Sequence, residues 1–136
     1  MDKKLQKLEA DILKSIKEDS TKKYDNPLDR LEANSEKSLK YANVLYRLRK
    51  KFSSQQMAVR KKYSELYKDL KFHSNWILKS KQDVDSHINS DTDYYNMKSE
   101  LKEIENLVDL VATVKDIYMS KEYSEREIAK HYKVGD

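Results

Sequence analysis

The sequence predicts an all-α protein built from long amphipathic helices that complete their core in an oligomer. Only 38% of its 136 residues are hydrophobic and 38% are charged, which is little apolar material for the core of an isolated chain. The apolar residues recur at helical spacing, without strand-like alternation. The chain holds one Gly and one Pro, whereas disordered chains are usually richer in both, so long helices fit better than disorder.

The length predicts a single all-helical domain over residues 1–136. We divide it into an N-terminal helix and linker (1–26), a long basic helix (27–76) and C-terminal helices (77–136). There is no cysteine, which suits a reducing cytoplasm. No apolar run approaches the ~18 residues of a bilayer span, and the charged N-terminus lacks a signal peptide's apolar stretch, so we expect a soluble, cytoplasmic protein.

The first helix is predicted over about residues 2–18. Its apolar positions follow helical spacing and are Leu5, Leu8, Ile12 and Ile16. Such spacing places them on one face of a helix. The polar stretch "EDSTKKYDNP" is expected to end it.

The second helix has a clear predicted start and is expected to reach about residue 72. Asn26 suits the N-cap, Pro27 the first helical position, and Asp29 complements the positive end of the helix. Its apolar seam is Leu45, Leu48, Phe52, Val59, Tyr63, Leu66 and Leu70. A helix of ~65 Å must pack on another chain or on another long helix.

The remaining sequence predicts a turn and three further helices. "HSNW" (73–76) reads as the turn, and Ile77, Val84 and Ile88 indicate a short helix that ends at "NSDTD". A long helix follows over about 92–119. "YSEREIAKHY" then predicts a separate last helix, with Ser124 and Glu127 as a capping box and Tyr123 and Ile128 as a hydrophobic staple.

The helix over 92–119 carries two rows of apolar residues, which is typical of a helix buried on more than one side, as at a subunit interface. Together with the last helix, it is predicted to carry assembly. The predicted oligomerisation residues are Leu101, Ile104, Leu107, Val108, Leu110, Val111, Val114, Ile117, Tyr118, Tyr123 and Ile128.

Charge is strongly segregated along the chain. Residues 1–36, 37–81 and 82–136 carry net charges of −1, +11 and −6, and seven of the thirteen aromatic residues lie in the basic middle. A basic, aromatic centre indicates a surface for an anionic partner. The acidic last third is either a docking surface for a basic partner or a partner for the basic middle of another subunit.

Six bases of the middle segment fall within an arc of about 140° that faces away from the apolar seam. We call them the basic arc: Arg47, Lys50, Arg60, Lys61, Lys68 and Lys71. Tyr46, Met57 and Tyr67 lie on or near this arc. Solvated helix faces usually intersperse Glu with Lys, but this one leaves its bases almost unpaired. We therefore favour a polyanion surface, whose target is single-stranded DNA, RNA or a membrane.

Enzyme chemistry finds little support. The only Gly is at 135, which excludes a glycine-rich phosphate loop, and His73, His87 and His131 lack metal-ligand spacing. Asn89, Asp91, Asp93 and Glu100 occupy calcium-loop positions, but the required glycine is absent, and an acidic helix cap explains the same residues. We predict no catalytic residue, no metal and no cofactor.

The layout of segments resembles the UvsY family, the recombination mediators of T-even-like bacteriophages. The resemblance rests on a short leading helix, "DSTK", the basic-aromatic helix, "ILKSKQDVDSHINSDTDYY" and the ending "SKEYSEREIAKHYKVGD". The family's basic-x-basic contact to single-stranded DNA matches "VRKKY" (59–63), which implies that role for Arg60 and Lys62. The family's C-terminal pattern is matched by Ser120, Lys121, Tyr123, Arg126, Ile128 and Gly135, whereas Glu122 and Glu125 depart from it.

The resemblance implies a ring-like homo-oligomer of six or seven chains that binds single-stranded DNA without nucleotide hydrolysis. It implies two further partners, a RecA-like recombinase and a single-stranded-DNA-binding protein, in the cytoplasm of a host cell. Arg47, Lys50, Lys61, Lys68 and Lys71 would support the strand, with Tyr46 and Tyr67 as stacking residues. The alternative is a coiled-coil structural or adaptor protein whose basic face binds an acidic protein or an anionic membrane surface.

Overall fold

The computed structural model describes residues 3–72 and 81–134, and it confirms the all-α class. Four helices follow one another within these two ranges. They are α1 (Lys3–Thr21), α2 (Pro27–Phe72), α3 (Lys81–Asn89) and α4 (Thr92–Val134). Across those two ranges no residue lies in a β-strand. The predicted turn at 73–76, and Ile77, lie outside the described residues.

The predicted start of α2 is confirmed. The Leu28 N–H donates to Asn26 Oδ1 over 2.8 Å, and the Arg30 N–H donates to the Asn26 carbonyl over 2.9 Å. Pro27 is the first helical residue, where its missing N–H costs nothing. From this cap α2 continues for 46 residues, which is about 69 Å of helix.

The long partner of α2 is α4 of the same chain. The two helices run antiparallel, because Arg30 at the start of α2 contacts Glu125 near the end of α4, whereas Gln55 donates to the Met97 carbonyl over 3.0 Å. α1 packs on this pair. The three helices share one core cluster, which consists of Leu5, Ile12, Tyr41, Leu45, Leu48, Ile104, Leu107, Val111, Val114 and Tyr118.

A second cluster closes the other end of the hairpin, where α3 packs. Val59, Ile88 and Tyr94 are its buried members, and Val84 is among the partly buried side chains around them. The phenol of Tyr63 also donates to Asp85 over 2.8 Å, which ties α2 to α3. The predicted seam of α2 is thus confirmed in both clusters.

The predicted break before "YSEREIAKHY" is wrong, because α4 is one helix from Thr92 to Val134. No Gly or Pro lies between these residues to interrupt it. Glu122 pairs with Arg126 one turn later over 2.8 Å and accepts a hydrogen bond from Ser38 on α2 over 3.2 Å, so tertiary contact holds this stretch in the helix. Ser124 and Glu127 therefore sit inside α4 and start no helix, and no new staple forms there.

Five of the predicted oligomerisation residues belong to the core of the single chain. Ile104, Leu107, Val111, Val114 and Tyr118 are covered by α1 and α2, so we correct their role from assembly to folding. The two apolar rows of α4 predict a subunit interface, but α1 and α2 of the same chain already supply two packing partners. Leu101, Val108 and Leu110 are partly buried against the clusters, and the exposed members of the set are Ile117, Tyr123 and Ile128.

Candidate polyanion-binding site

The basic arc is exposed along the outer side of α2. Burial of Leu48 and Val59 against the rest of the chain turns the opposite side of the helix outward. All six arc bases are exposed as predicted, namely Arg47, Lys50, Arg60, Lys61, Lys68 and Lys71. They extend over about 36 Å at 1.5 Å per residue. One side of α2 therefore presents six cations, spread over an arc of about 140°.

The bases of this face form no salt bridge within the part of the chain that the structure describes. None of the nine bases between residues 47 and 71 forms a salt bridge with a residue in the described ranges. The salt bridges that are described there lie within α1, within α4, and between the start of α2 and its two neighbours. Clustered cations without carboxylate partners attract mobile anions from solution. A polyanion that binds the cations displaces these mobile anions and also releases its own condensed counterions.

Arg60 and Lys62 do not share one face of α2. Residues two positions apart in an α-helix point about 160° away from one another. Accordingly, Arg60 is exposed within the basic arc, whereas Lys62 is half-buried at the opposite edge of the apolar seam. One strand along the outer side of α2 can reach Arg60 and Lys61 together, but Lys62 is not placed beside them.

The two predicted stacking residues differ in accessibility. Tyr46 is 61% exposed, and Lys50 Nζ lies 4.7 Å from the centre of its ring. Lys50 covers one face of this exposed ring, and a nucleobase could stack on the other face with the cation nearby. Tyr67 is half-buried in the second cluster, and its ring packs against Tyr63 at 6.4 Å. The stacking role of Tyr67 stays a prediction, with less of its ring open to solvent than at Tyr46.

Asp91, one of the residues with calcium-loop spacing, caps the start of α4. The Tyr94 N–H donates to Asp91 Oδ1 over 2.9 Å, and Tyr95 continues the turn by donating to the Asp91 carbonyl. This confirms the acidic cap at the start of α4. Within residues 3–72 and 81–134, no helix is long and apolar enough to cross a bilayer.

A buried polar cluster at the junction of α1 and α2 was not predicted from the sequence. The Tyr41 phenol and the Lys40 ammonium each donate to Asp19 Oδ2 over 2.7 Å, and Lys37 Nζ donates to the Asp19 carbonyl over 3.0 Å. Tyr118 of α4 stacks on Tyr41 at 5.7 Å. One feature of the sequence does indicate the cluster. Lys37 lies four residues before Tyr41 and eight before Leu45, which places a lysine on the buried side of α2.

Burial and hydrogen bonding set the protonation of this cluster. Burial acts to raise the pKa of the Asp19 carboxyl, but the hydrogen bonds from Lys40 and Tyr41 outweigh it and hold that pKa below its ordinary value. Burial, with the hydrogen bond to Asp19, raises the pKa of the Tyr41 phenol far above its ordinary value. Burial lowers the pKa of the Lys37 ammonium, against the opposing effect of the Asp19 charge. The charged hydrogen bonds of this cluster thus hold the end of α1 against α2.

Fold and site together define an all-α helical hairpin, braced by α1 and α3, with a basic face on α2 that forms no salt bridge to any described residue. No protein-family model, curated protein or solved structure was found to match this chain.

Proposed function

We propose that this protein is a non-enzymatic recombination mediator that binds single-stranded DNA and promotes loading of a RecA-like recombinase. The DNA onto which the recombinase is loaded is coated by a single-stranded-DNA-binding protein. One observation carries the binding part of the proposal: six exposed bases line one side of α2, and none forms a salt bridge with a described residue. The choice of single-stranded DNA and of the two protein partners is supported by the resemblance to the UvsY family.

In this proposal the strand runs along the basic arc. Lys and Arg contact phosphates without reading sequence, which suits a protein that must accept any strand. Tyr46 supplies a sequence-tolerant stacking surface next to Lys50. A strand bound in this way is restrained along its backbone. The single-stranded-DNA-binding protein then holds that part of the strand less tightly, and the recombinase is loaded alongside.

The proposed assembly is a ring-like homo-oligomer of six or seven chains. Several copies of the basic arc then hold one strand through many modest contacts, which raises the overall affinity by avidity. Ile117 and Ile128 are 47% and 45% exposed and lie eleven residues apart, which returns to the same side of α4. These side chains, rather than the buried core residues, are the apolar surface that we propose for contact between subunits.

The test is an order-of-addition assay with a strand first coated by single-stranded-DNA-binding protein. Addition of this protein is expected to shorten the lag before recombinase filaments form, and Arg60→Ala with Lys61→Ala is expected to restore most of the lag. A matched variant, Lys102→Ala with Lys130→Ala, removes the same charge from α4 and should behave as the wild type. An unchanged lag in the presence of the wild-type protein contradicts the mediator proposal.

Competition between liposomes and DNA separates the proposal from the adaptor alternative. Anionic vesicles should fail to displace a labelled single strand at physiological salt if the basic arc is built for DNA. Tight vesicle binding together with weak, salt-insensitive DNA binding would instead favour a structural or adaptor protein on an anionic membrane surface.

A further inference from the structure

A second basic site lies away from the basic arc, in a pocket between the α1–α2 connection and the last third of α4. The pocket encloses about 690 Å³, which is in the range of small-molecule sites. We call it the linker pocket. The side chains that the following argument uses are Lys22, Tyr24, Lys37, Tyr118, Lys121 and Glu125. Lys37 faces the buried side of α2, whereas the basic arc is on its outer side.

The charge of the linker pocket favours an anion. Five bases and three acids line it. Two of the acids already have partners, since Asp19 accepts from Lys40 and Tyr41, and Glu125 Oε1 accepts from Arg30 over 3.1 Å. The lysines at residues 22, 23, 37 and 121 have no such carboxylate partner among the described residues, so the pocket retains positive charge.

Lys37 is the deepest of these cations. It is only 8% exposed, and its Nζ lies 5.1 Å from the ring centre of Tyr24 and 5.3 Å from that of Tyr118. Its described hydrogen bond goes to the Asp19 carbonyl, whereas an ammonium has three donors. Burial, and the repulsion of Lys22 and Lys121, lower the pKa of Lys37, so a bound anion would stabilise its charged form.

The pocket also offers a hydrogen-bond acceptor and aromatic faces. Glu125 Oε2 is buried and has no hydrogen-bond partner in the part of the chain that the structure describes. A buried carboxylate oxygen in this state favours a ligand that brings an N–H or O–H group. The ring of Tyr24 is half-buried at the same pocket, where a flat heterocycle can pack against it.

We propose that the linker pocket binds a nucleoside phosphate, with the phosphate at Lys22, Lys37 and Lys121 and a ribose hydroxyl or base amino group donating to Glu125 Oε2. This combination of cations, one acceptor and an aromatic face matches a nucleotide better than it matches inorganic phosphate. The ligand is either a free nucleotide or the terminal nucleotide of a strand. The inference goes beyond the proposed function and does not rest on it.

The experiment is a calorimetric titration of the full-length protein with ADP, AMP and adenosine. We expect saturable binding of ADP, weaker binding of AMP and at least tenfold weaker binding of adenosine, because the lysines contact the phosphates. Lys22→Ala with Lys121→Ala should weaken ADP binding at least tenfold. Both side chains are exposed, so the fold should survive, as circular dichroism will check.

The matched control is Lys14→Ala with Lys130→Ala, which removes two exposed lysines from outside the pocket. It should bind ADP as the wild type does. Equal losses in the pocket variant and the control, or equal affinities for ADP and adenosine, would overturn the proposal. Weak ADP binding without saturation at millimolar concentration would also overturn it.

Two oligonucleotides identify the source of the ligand. A 5′-phosphorylated oligonucleotide that displaces ADP, where its 5′-hydroxyl counterpart does not, supports the pocket and assigns it to a strand end. Undiminished ADP binding in the presence of either oligonucleotide supports the pocket and assigns it to a free nucleotide. The basic-arc variant Arg60→Ala with Lys61→Ala should keep ADP binding in both cases, so failure of one site is distinguishable from failure of the other.

Discussion

Neutralising part of the basic arc is expected to reduce both the affinity for single-stranded DNA and the dependence of that affinity on salt. The perturbation is Arg60→Ala with Lys61→Ala, since both side chains are exposed and unpaired within the described residues. Each base that contacts a phosphate contributes about 0.7 to the slope of log K against log salt on a single strand. Six arc bases on one chain therefore give a slope of about −4, and four give about −3.

The assay is fluorescence anisotropy of a labelled oligothymidine at several salt concentrations. Between 50 and 200 mM salt, the wild-type affinity should fall about 300-fold and the variant affinity about 50-fold. The control, Lys102→Ala with Lys130→Ala, removes two lysines that pair with Glu105 and Glu127 on α4. Equal slopes in the arc variant and in this control would refute the assignment of the strand to the outer side of α2.

Three further predictions follow from burial and charge. Lys62→Ala should change the salt slope by less than Arg60→Ala in the same anisotropy assay, because Lys62 is half-buried off the arc. Asp19→Asn should lower the free energy of unfolding by about 2 kcal/mol at pH 7 in urea titrations. The folded-state pKa of Asp19 lies below its ordinary value of 3.8, so its contribution to stability is present above that value and is lost as the pH falls through the folded pKa; the difference between wild type and variant should therefore shrink as the solution is acidified. Val114→Asp should unfold the chain, as measured by circular dichroism, because Val114 is in the core; a folded variant would contradict this assignment. Ile128→Asp should leave the chain folded but lower the mass of the oligomer measured in solution.

Local signals in the sequence predict most of the helices correctly. Asn26 and Pro27 mark the start of α2, and the apolar seam from Leu45 onward marks the side that is buried. These features depend on neighbours within a few turns, which the sequence displays directly. The exposed basic arc follows from the same periodicity, since a helix with one buried side exposes the other.

What sequence reasoning missed depends on contacts between distant residues. The capping box at Ser124 and Glu127 has the right local spacing. However, α4 contains no Gly or Pro before Ser124, and the hydrogen bond from Ser38 of α2 to Glu122 holds this part of α4 in the helix. Apolar periodicity also cannot tell whether a row on α4 is covered by α1 of the same chain or by a second chain. The contact between Asp19 and Tyr41 joins residues on two helices, and only the tertiary structure brings them together.

Helix geometry places Arg60 and Lys62 on different sides of α2, which the basic-x-basic motif alone does not display. A basic-x-basic motif within an α-helix separates its two side chains by most of a half-turn, so one faces the arc and the other returns toward the seam. Lys61, the residue between them, is the better companion of Arg60 because both are exposed on the arc.

The reactivity of individual lysines tests directly whether a single strand lies along the basic arc. The protein is acetylated with and without a saturating oligothymidine, and the modification of each lysine is read by mass spectrometry. DNA should protect Lys50, Lys61 and Lys68, while Lys102 and Lys130 of α4 should react equally in both samples. Equal modification of the arc lysines with and without DNA, or protection confined to α4, would contradict it.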